Sequence, residues 1–231
     1  MNTVTPPFDR ATCMRIARAF LPTHPLGNRW DYYYTRAKLG SDPLYPGVLQ
    51  ALRGSRAPVL DLGCGLGLLA HALRQDGQAM DYRGVDNDAA KIRRAKVVAA
   101  RARLGDVEFA LVDLAQGPPQ HHGSVCMLDV LQYLERAAQQ RLVDDAIAML
   151  VPGARLVIRT ALEDGSRRST TTRITDRMAN AIGWMQSWPK CYPDADALRG
   201  QLEAAGLEVD NAPLYGNTPF NNWLIVAIKL L

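Results

Sequence analysis

The sequence predicts an α/β protein built on a doubly wound, seven-stranded, mostly parallel sheet whose last strand is antiparallel. Three observations lead to this prediction. Short apolar runs alternate with helix-patterned segments from residue 58 onward, a glycine-rich turn follows the first of these runs, and two further apolar runs close the chain. Alternation of strand and helix patterns is typical of a parallel sheet that is covered by helices on both faces.

The predicted core elements follow these patterns in chain order. The five core strands are expected at Pro58–Leu62, Tyr82–Asp86, Val107–Val112, Ser124–Asp129 and Ala154–Arg159. The helices between them are expected at Leu66–Gln75, Ala89–Leu104 and Ala137–Leu150. In the second of these helices, Ile92, Ala95 and Ala99 fall on one stripe and basic residues occupy the rest. A solvated outer face is therefore favoured over a nucleic-acid surface.

The C-terminal part follows a different pattern. Asp194 is expected to cap a helix that runs to Ala205, and Gly206 is expected to end this helix. Two strands, Leu207–Val209 and Trp223–Leu230, then add an antiparallel pair to the sheet. Long connections are often lids or binding loops, so the insertion at residues 161–193 is predicted to close over a substrate.

The composition limits the class of protein. The 231 residues fit one domain, 1–231, in which residues 1–57 form a helical N-terminal cap. Four widely spaced cysteines lack metal-ligand spacing, so we expect reduced thiols, a cytoplasmic protein and no metal site. No signal peptide pattern or membrane-spanning apolar run is found. The net charge of +4 permits an anionic partner without requiring one.

The most informative segment is the turn V-L-D-L-G-C-G-L-G at residues 59–67. A buried strand leads directly into alternating glycines, which let a ligand approach the backbone closely. A dinucleotide fingerprint that starts at Gly63 and Gly65 needs a third glycine at residue 68, where Leu68 stands. Asp61 beside the turn would repel a pyrophosphate and attract an ammonium group. The turn therefore favours a cofactor with a methionine moiety over NAD.

Acidic residues stand at the ends of four consecutive predicted strands: Asp61, Asp86, Asp113 and Asp129. Open α/β sheets bind their ligands at this edge, so a shared site is favoured over four separate helix caps. Asp86 lies at the distance from the glycine turn that is typical of an acid binding ribose hydroxyls. Asp113 can accept a hydrogen bond from an adenine amino group, with Leu114 against the ring.

The run from Val59 to Val130 resembles the core of class I methyltransferases that use S-adenosylmethionine (SAM), of the small-molecule, methyltransferase-11/23-like type. The motifs are D-L-G-C-G-x-G, V-D-N-D, V-D-L and L-D-V-L-Q-Y-L. The resemblance implies a Rossmann-like fold and a SAM cofactor. The cofactor-binding residues that it implies are Lys38, Asp61, Gly63, Cys64, Gly65, Asp86, Asn87, Asp113, Leu114 and Asp129.

Within this family, the matching positions imply distinct roles. Asp61 and the glycines would hold the methionine end, Asn87 would lie beside the adenine, and Asp129 would lie near the transferred methyl group. The segment 29–39 resembles N-terminal helices that close over the cofactor. Lys38, Arg36 or Arg29 in this segment could pair with the SAM carboxylate.

One departure from the family concerns catalysis. Many relatives have a histidine where Gln132 stands, and a glutamine side chain accepts no proton at neutral pH. No catalytic residue is therefore assigned. A SAM-binding module without catalytic activity is an alternative to the enzyme.

The insertion indicates the substrate class. Trp184, Trp188 and Tyr192 predict an aromatic or lipophilic small-molecule acceptor. The basic stretch at residues 167–173 is interpreted first as a flexible loop, and second as a docking patch for an acyl carrier protein or a phosphate-bearing lipid.

Two other enzyme classes are disfavoured by the motifs. A nucleic-acid methyltransferase of the amino-methylating type would carry a proline-containing motif after the fourth strand, where L-D-V-L stands at residues 128–131. An NAD-dependent oxidoreductase is disfavoured by Asp61 and Leu68.

Overall fold

The computed structural model describes residues 5–162, 189–216 and 221–230. Its described strands form one seven-stranded sheet in the order β3-β2-β1-β4-β5-β7-β6. The strands are β1 Val59–Leu62, β2 Tyr82–Asp86, β3 Val107–Leu111, β4 Ser124–Leu128, β5 Arg155–Ala161, β6 Glu208–Pro213 and β7 Asn222–Ile228. Strands β1 to β5 pair in parallel, and β7 runs antiparallel between β5 and β6. The predicted fold class is confirmed.

Helices cover both faces of this sheet. They are α1 Arg10–Arg18, α2 Trp30–Ser41, α3 Leu44–Leu52, α4 Leu68–Gln75, α5 Ala89–Arg101, α6 Arg136–Met149 and α7 Ala195–Ala204. One apolar cluster joins the sheet to α1, α3, α4 and α5, and a second joins it to α6 and α7. The first three helices precede β1, in the part of the chain where the N-terminal cap was expected.

Local chemistry explains where the elements begin and end. β1 is buried at all four positions because it lies in the middle of the sheet. The Asp194 side chain caps α7 by accepting the Ala197 N–H at 2.8 Å, and Gly206, with φ of 76°, follows the helix. Both ends of this helix agree with the sequence prediction. None of the described helices is both long and apolar enough to cross a membrane.

Several predicted boundaries are wrong by a few residues, and the structure explains three of them. Asp129 does not extend β4, because its φ of 60° lies outside strand geometry. β5 continues to Ala161, where it still pairs with β7, so the insertion begins one residue later than expected. Strand β6 continues beyond the predicted end at Val209 to Pro213, because its pairing with β7 continues to that residue. Most of its side chains are exposed, so the sequence has no apolar run that would predict this length.

Candidate functional site

The turn after β1 has the backbone shape that its glycines predict. Gly63, Gly65 and Gly67 have φ values of 80°, 55° and 75°, in the left-handed region that favours glycine. The turn is fixed to β2, because the N–H groups of Gly63 and Cys64 donate to the Val85 carbonyl at 2.8 and 2.9 Å. Burial raises the pKa of the Cys64 thiol, so it stays protonated. Cys64 therefore contributes its backbone to the turn rather than a thiolate.

The three glycines of the turn face different surroundings. A Cβ atom at Gly63 would lie 2.5 Å from the Val130 side chain, and one at Gly67 would lie 2.5 Å from the Phe109 ring. These two glycines are needed for close packing. A Cβ atom at Gly65 would meet nothing within 4 Å. Gly65 is thus the position at which a ligand can reach the backbone of the turn.

Asp86 ties the end of β2 to this turn. It is buried, and its Oδ2 accepts the Gly65 N–H at 2.9 Å while its Oδ1 accepts the Asp88 N–H at 2.9 Å. Each carboxylate oxygen has a further lone pair for a ligand hydroxyl. Asn87, the next residue, is exposed. The structure therefore brings Gly65, Asp86 and Asn87 together at the edge where the sequence placed them.

Asp61 is buried beneath the turn. Its Oδ2 accepts a hydrogen bond from the Tyr82 hydroxyl at 2.6 Å, and its Oδ1 has no hydrogen-bond partner among the described residues. Burial raises the pKa of Asp61 to about 7, against the Tyr82 hydrogen bond and with help from the charge of Asp86. The environment of Asp61 therefore makes it partly protonated near neutral pH, whereas its position in the sequence predicts a full negative charge.

These observations test whether the turn fits the methionine end of SAM. An ammonium group would supply the missing hydrogen bond to Asp61 and favour its ionised form. The open side of Gly65 leaves room for the ligand backbone contact. An unsatisfied buried carboxylate oxygen and an open glycine are what a cofactor with an amino-acid moiety requires, so the residues present fit SAM.

The residues after β3 lie at the next strand end. Asp113 is exposed and caps the single turn Leu114–Gln116, because its side chain accepts the Ala115 N–H at 3.0 Å. Leu114 packs partly against the apolar cluster under α6. Asp113 thus has a local structural role, and its expected contact with adenine stays a prediction.

Four charged side chains form an ionic cluster at the ends of β4 and β5: Lys38, Asp42, Asp129 and Arg159. The Arg159 guanidinium is buried and donates through Nη2 to Asp42 Oδ1 and Oδ2, at 3.2 and 3.0 Å. Its Nη1 donates to both carboxylate oxygens of Asp129. The Lys38 Nζ lies 2.6 Å from Asp42 Oδ2 and 3.7 Å from Asp129 Oδ2. Two cations are matched by two carboxylates.

The ionic cluster shifts the pKa values of Asp42 and Lys38 toward their charged forms. Burial by itself would raise the pKa of Asp42, but the charges of Arg159 and Lys38 outweigh it and hold the pKa below its ordinary value. Burial would lower the pKa of Lys38, but Asp129 and Asp42 outweigh it and raise that pKa. Lys38 is therefore not a proton acceptor at neutral pH.

Only half of this cluster was predicted from the sequence. Lys38 and Asp129 were expected to bind the cofactor, and the structure brings these two together. Asp42 was not predicted and Arg159 was given no role, although both are buried. The available signal was Arg159 directly after the apolar run Leu156–Ile158 of β5, because a buried guanidinium needs acidic partners.

Gln132 lies where the end of the insertion returns to the sheet. Its side-chain Oε1 accepts the Thr160 hydroxyl at 3.2 Å. Its backbone carbonyl accepts the N–H groups of Lys190 and Cys191 at 2.7 and 3.3 Å. Tyr192 follows directly and is half-buried. Of the predicted substrate residues, Tyr192 is thus near Gln132, whereas Trp184, Trp188 and the basic stretch 167–173 lie outside the described residues.

No histidine replaces the missing base near Gln132. All four histidines of the chain are described. His71 is buried against Phe20, and burial lowers its pKa to about 4. The His121 ring lies near the carbonyls of Pro58 and Ser124, at the opposite edge of the sheet from the glycine turn. His24 and His122 are exposed. Within the described ranges, no group of three or more histidine, cysteine, aspartate or glutamate side chains could hold a metal ion.

The chain resembles known proteins over its sequence and its fold. A family model described as a methyltransferase domain matches residues 36–212. A stretch of 86 residues is 31% identical to the ubiquinone biosynthesis O-methyltransferase of Neisseria meningitidis serogroup C (strain 053442), and it covers 36% of this chain and 35% of that protein. The match thus spans about a third of the relative.

Two solved structures share the fold at low sequence identity. An O-methyltransferase family protein from Burkholderia thailandensis has a TM-score of 0.64 at 21% identity, over 87% of this chain and 59% of that one. The magnesium protoporphyrin IX methyltransferase of Synechocystis PCC 6803, solved with bound S-adenosylhomocysteine (SAH), has a TM-score of 0.64 at 15% identity, over 95% of each chain.

Proposed function

Because the chain belongs to the methyltransferase domain family and uses SAM, we propose that it is an O-methyltransferase whose acceptor is a small aromatic or lipophilic molecule with an acidic oxygen. The observation that carries the proposal is the absence of an imidazole beside Gln132, at the end of a site that otherwise fits SAM. The O-methyltransferase name of the Neisseria relative supports the choice of oxygen.

The cofactor contacts in this proposal follow the strand ends. Asp61 and the backbone of Gly63, Cys64 and Gly65 hold the methionine end, with Asp61 binding the ammonium group. The Lys38 ammonium has one N–H beyond its two carboxylate contacts, and we assign that N–H to the SAM carboxylate.

The other cofactor residues in this proposal bind the adenosine part of SAM or lie near its methyl group. Asp86 binds the ribose hydroxyls and Asn87 lies beside the adenine. Asp113 accepts from the adenine amino group, and Leu114 packs on the ring. Asp129 lies nearest the transferred methyl group, where Arg159 fixes the direction of its carboxylate.

When bound, SAM supplies a methyl group on a positively charged sulfur, which is already a good leaving group. The acceptor oxygen would bond to the methyl carbon as the carbon–sulfur bond breaks, and the acceptor proton would have left beforehand. The chain's own contribution is to orient the acceptor in line with that methyl group and to exclude water. Tyr192, Trp184 and Trp188 are the residues we assign to the apolar wall of the acceptor site.

The nature of the acceptor follows from the groups that cannot take its proton. Gln132 is a neutral amide, and the ion pairs of Lys38 hold that amine protonated. Both carboxylate oxygens of Asp129 are engaged by Arg159. An oxygen that is ionised at neutral pH, such as a carboxylate, an enolate or an acidic phenolate, needs no base from the protein. The ionic cluster has no net charge, so it does not repel such an anion.

A series of para-substituted phenols of increasing acidity tests this proposal. With SAM present, SAH release should become efficient once the phenol pKa falls below the assay pH, and kcat/KM for one phenol should rise with pH through that phenol's own pKa. The methyl group should be found on oxygen by mass spectrometry. Methylation of amines in place of phenols, or a pH profile that is the same for every phenol, would overturn the acidic-oxygen assignment.

The same assay can also distinguish a free acceptor from one that is attached to a carrier protein. An aromatic acyl group on an acyl carrier protein is the alternative to the free molecule. We propose the free molecule as the acceptor. Equal amounts of one acceptor, free and carrier-bound, distinguish the two forms by their kcat/KM values.

A further inference from the structure

One surface of the protein combines exposed apolar side chains with basic ones. We call it the docking face: the α1–α2 connection, the first turn of α2 and the outer side of α5. Its apolar members are Leu26, Trp30, Tyr33 and Val97, which are 90%, 55%, 54% and 56% exposed. Each exposed apolar side chain by itself is ordinary, but four of them on adjoining elements require an explanation.

Contacts between the elements show that they form one surface. Arg94 of α5 pairs with Asp31 in the first turn of α2, with Nη1 and Oδ1 2.8 Å apart. Arg101 of α5 donates to the Ala19 carbonyl, at the start of the α1–α2 connection, at 3.2 Å. Arg94, Val97 and Arg101 follow one stripe of α5 at helical spacing. Val97 is therefore on the side of α5 that adjoins α2 and the connection.

The charge of this region is strongly positive. Residues 19–33 and 88–104, which contain the docking face, hold seven lysines and arginines and two aspartates, a net charge of +5. The whole chain carries +4, so all other residues together carry −1. Arg93 and Lys96 lie exposed along the stripe of α5 beside Val97, and Arg103 is exposed just after the end of this helix. Basic residues thus surround the apolar ones, and the excess positive charge of the protein is concentrated on this side.

We propose that the docking face binds an anionic lipid bilayer. Lysine and arginine are attracted to anionic headgroups. Tryptophan, tyrosine and leucine beside them can enter the boundary between headgroups and acyl chains, as in amphipathic helices that lie on membranes. A nucleic acid would also be attracted to the basic residues and would stack on Trp30 and Tyr33. It would gain little from Leu26 and Val97, which favours lipid as the occupant.

The position of the docking face relates it to the candidate site. Trp30 and Lys38 lie on the same helix, eight residues and about 12 Å apart along the axis. A bilayer bound at Trp30 would therefore lie close to the site to which Lys38 belongs. Binding of the bilayer is independent of the proposed function, but delivery of a lipophilic acceptor from it rests on that function.

Vesicle sedimentation tests the proposal on the full chain. Vesicles of phosphatidylcholine alone are compared with vesicles that also contain phosphatidylglycerol, at low and high salt. The face variants are Leu26→Ser/Trp30→Ser and Arg93→Glu/Lys96→Glu. Matched controls are Leu230→Ser, at a side chain that is 61% exposed after β7, and Arg56→Glu/Arg141→Glu, at two exposed arginines outside the docking face.

We expect the wild type to sediment with the anionic vesicles only, and less at high salt. Each face variant should lower the partition coefficient by about tenfold or more, and the controls should retain it. SAH affinity, measured by calorimetry, should be the same in every variant, which shows that all of them are folded. The proposal is overturned if the wild type fails to bind anionic vesicles, if face and control variants lose binding equally, or if a single-stranded RNA oligonucleotide binds the face while vesicles do not.

Discussion

The Arg159 guanidinium reaches both carboxylate oxygens of Asp129, whose backbone φ of 60° is rare for a residue with a side chain. The ion pair fixes Asp129 in this conformation at the end of β4, beside the residues that lead to Gln132. Arg159 also binds Asp42 at the end of α2. One buried guanidinium therefore connects the N-terminal helices to the centre of the sheet, and the geometry of the site depends on it.

Replacement of Arg159 should destabilise the protein severely. Arg159→Met leaves the buried Asp42 and the half-buried Asp129 without their main cation, and breaking a buried pair costs about 3–5 kcal/mol of unfolding free energy. Arg155→Met on the same strand is the matched control, because the Arg155 guanidinium bonds the Ala51 carbonyl rather than a carboxylate. Urea unfolding measures both losses.

The double variant Arg159→Met/Asp42→Asn should recover part of the loss, because it removes the uncompensated charge. Equal losses in the Arg159→Met and Arg155→Met variants would show that the ionic cluster contributes no more than an ordinary hydrogen bond.

A second prediction tests whether Lys38 binds the cofactor or only holds α2 in place through the ionic cluster. If its third N–H binds the SAM carboxylate, Lys38→Met should weaken SAH binding by about tenfold or more, because a hydrogen bond to a charged group is lost. Binding of 5′-methylthioadenosine, which has no carboxylate, should be unchanged. Arg36→Met, at an exposed residue of the same helix, is the control. Calorimetry with both ligands decides. Equal weakening of both ligands would mean that Lys38 holds α2 in place and does not touch the cofactor.

Strands β1, β4 and β5 could be predicted because buried strands leave continuous apolar runs in the sequence. The cap at Asp194 could be predicted because capping acts over three residues of chain. The ionic cluster could not, since Asp42 and Arg159 are 117 residues apart and their contact exists only after folding. The same applies to the pKa of Asp61, which depends on burial and on the hydroxyl of Tyr82. Patterns in the sequence report local geometry, while electrostatics is set by tertiary contacts.

The glycine turn provides a third prediction, in which two neighbouring glycines behave differently. Gly65→Ala should still fold, with a loss of about 1–2 kcal/mol of unfolding free energy for the left-handed backbone. It should also weaken SAH binding by about tenfold or more, because the new methyl group occupies the open side of the turn. Gly67→Ala brings its Cβ to 2.5 Å from Phe109 and should be destabilised further. Thermal melts and SAH titrations compare the two. Normal SAH affinity in Gly65→Ala would place the cofactor elsewhere.

The last prediction concerns Asp61 and pH. Its pKa is about 7 in the folded protein and 3.8 in an unfolded chain, so the folded state binds more protons between these values. The contribution of Asp61 to stability is therefore complete below pH 3.8 and is lost as the pH rises through about 7. The slope in this window approaches about 1.4 kcal/mol per pH unit. Asp61→Asn keeps an acceptor for the Tyr82 hydroxyl and should remove this dependence.

SAH binding should follow the opposite direction. Its ammonium group favours ionised Asp61, so the affinity of the wild type should increase from pH 6 to pH 8 by about tenfold, because the cost of ionising the buried carboxyl disappears. Other titrating groups affect the SAH affinity of wild type and Asp61→Asn equally, so the difference between the two pH profiles reports Asp61 alone. His71, whose pKa of about 4 lies below this range, does not contribute. Calorimetry of both proteins across this range provides the comparison. Parallel pH profiles would mean that the ammonium group binds away from Asp61, and that the unsatisfied Oδ1 of Asp61 has another role.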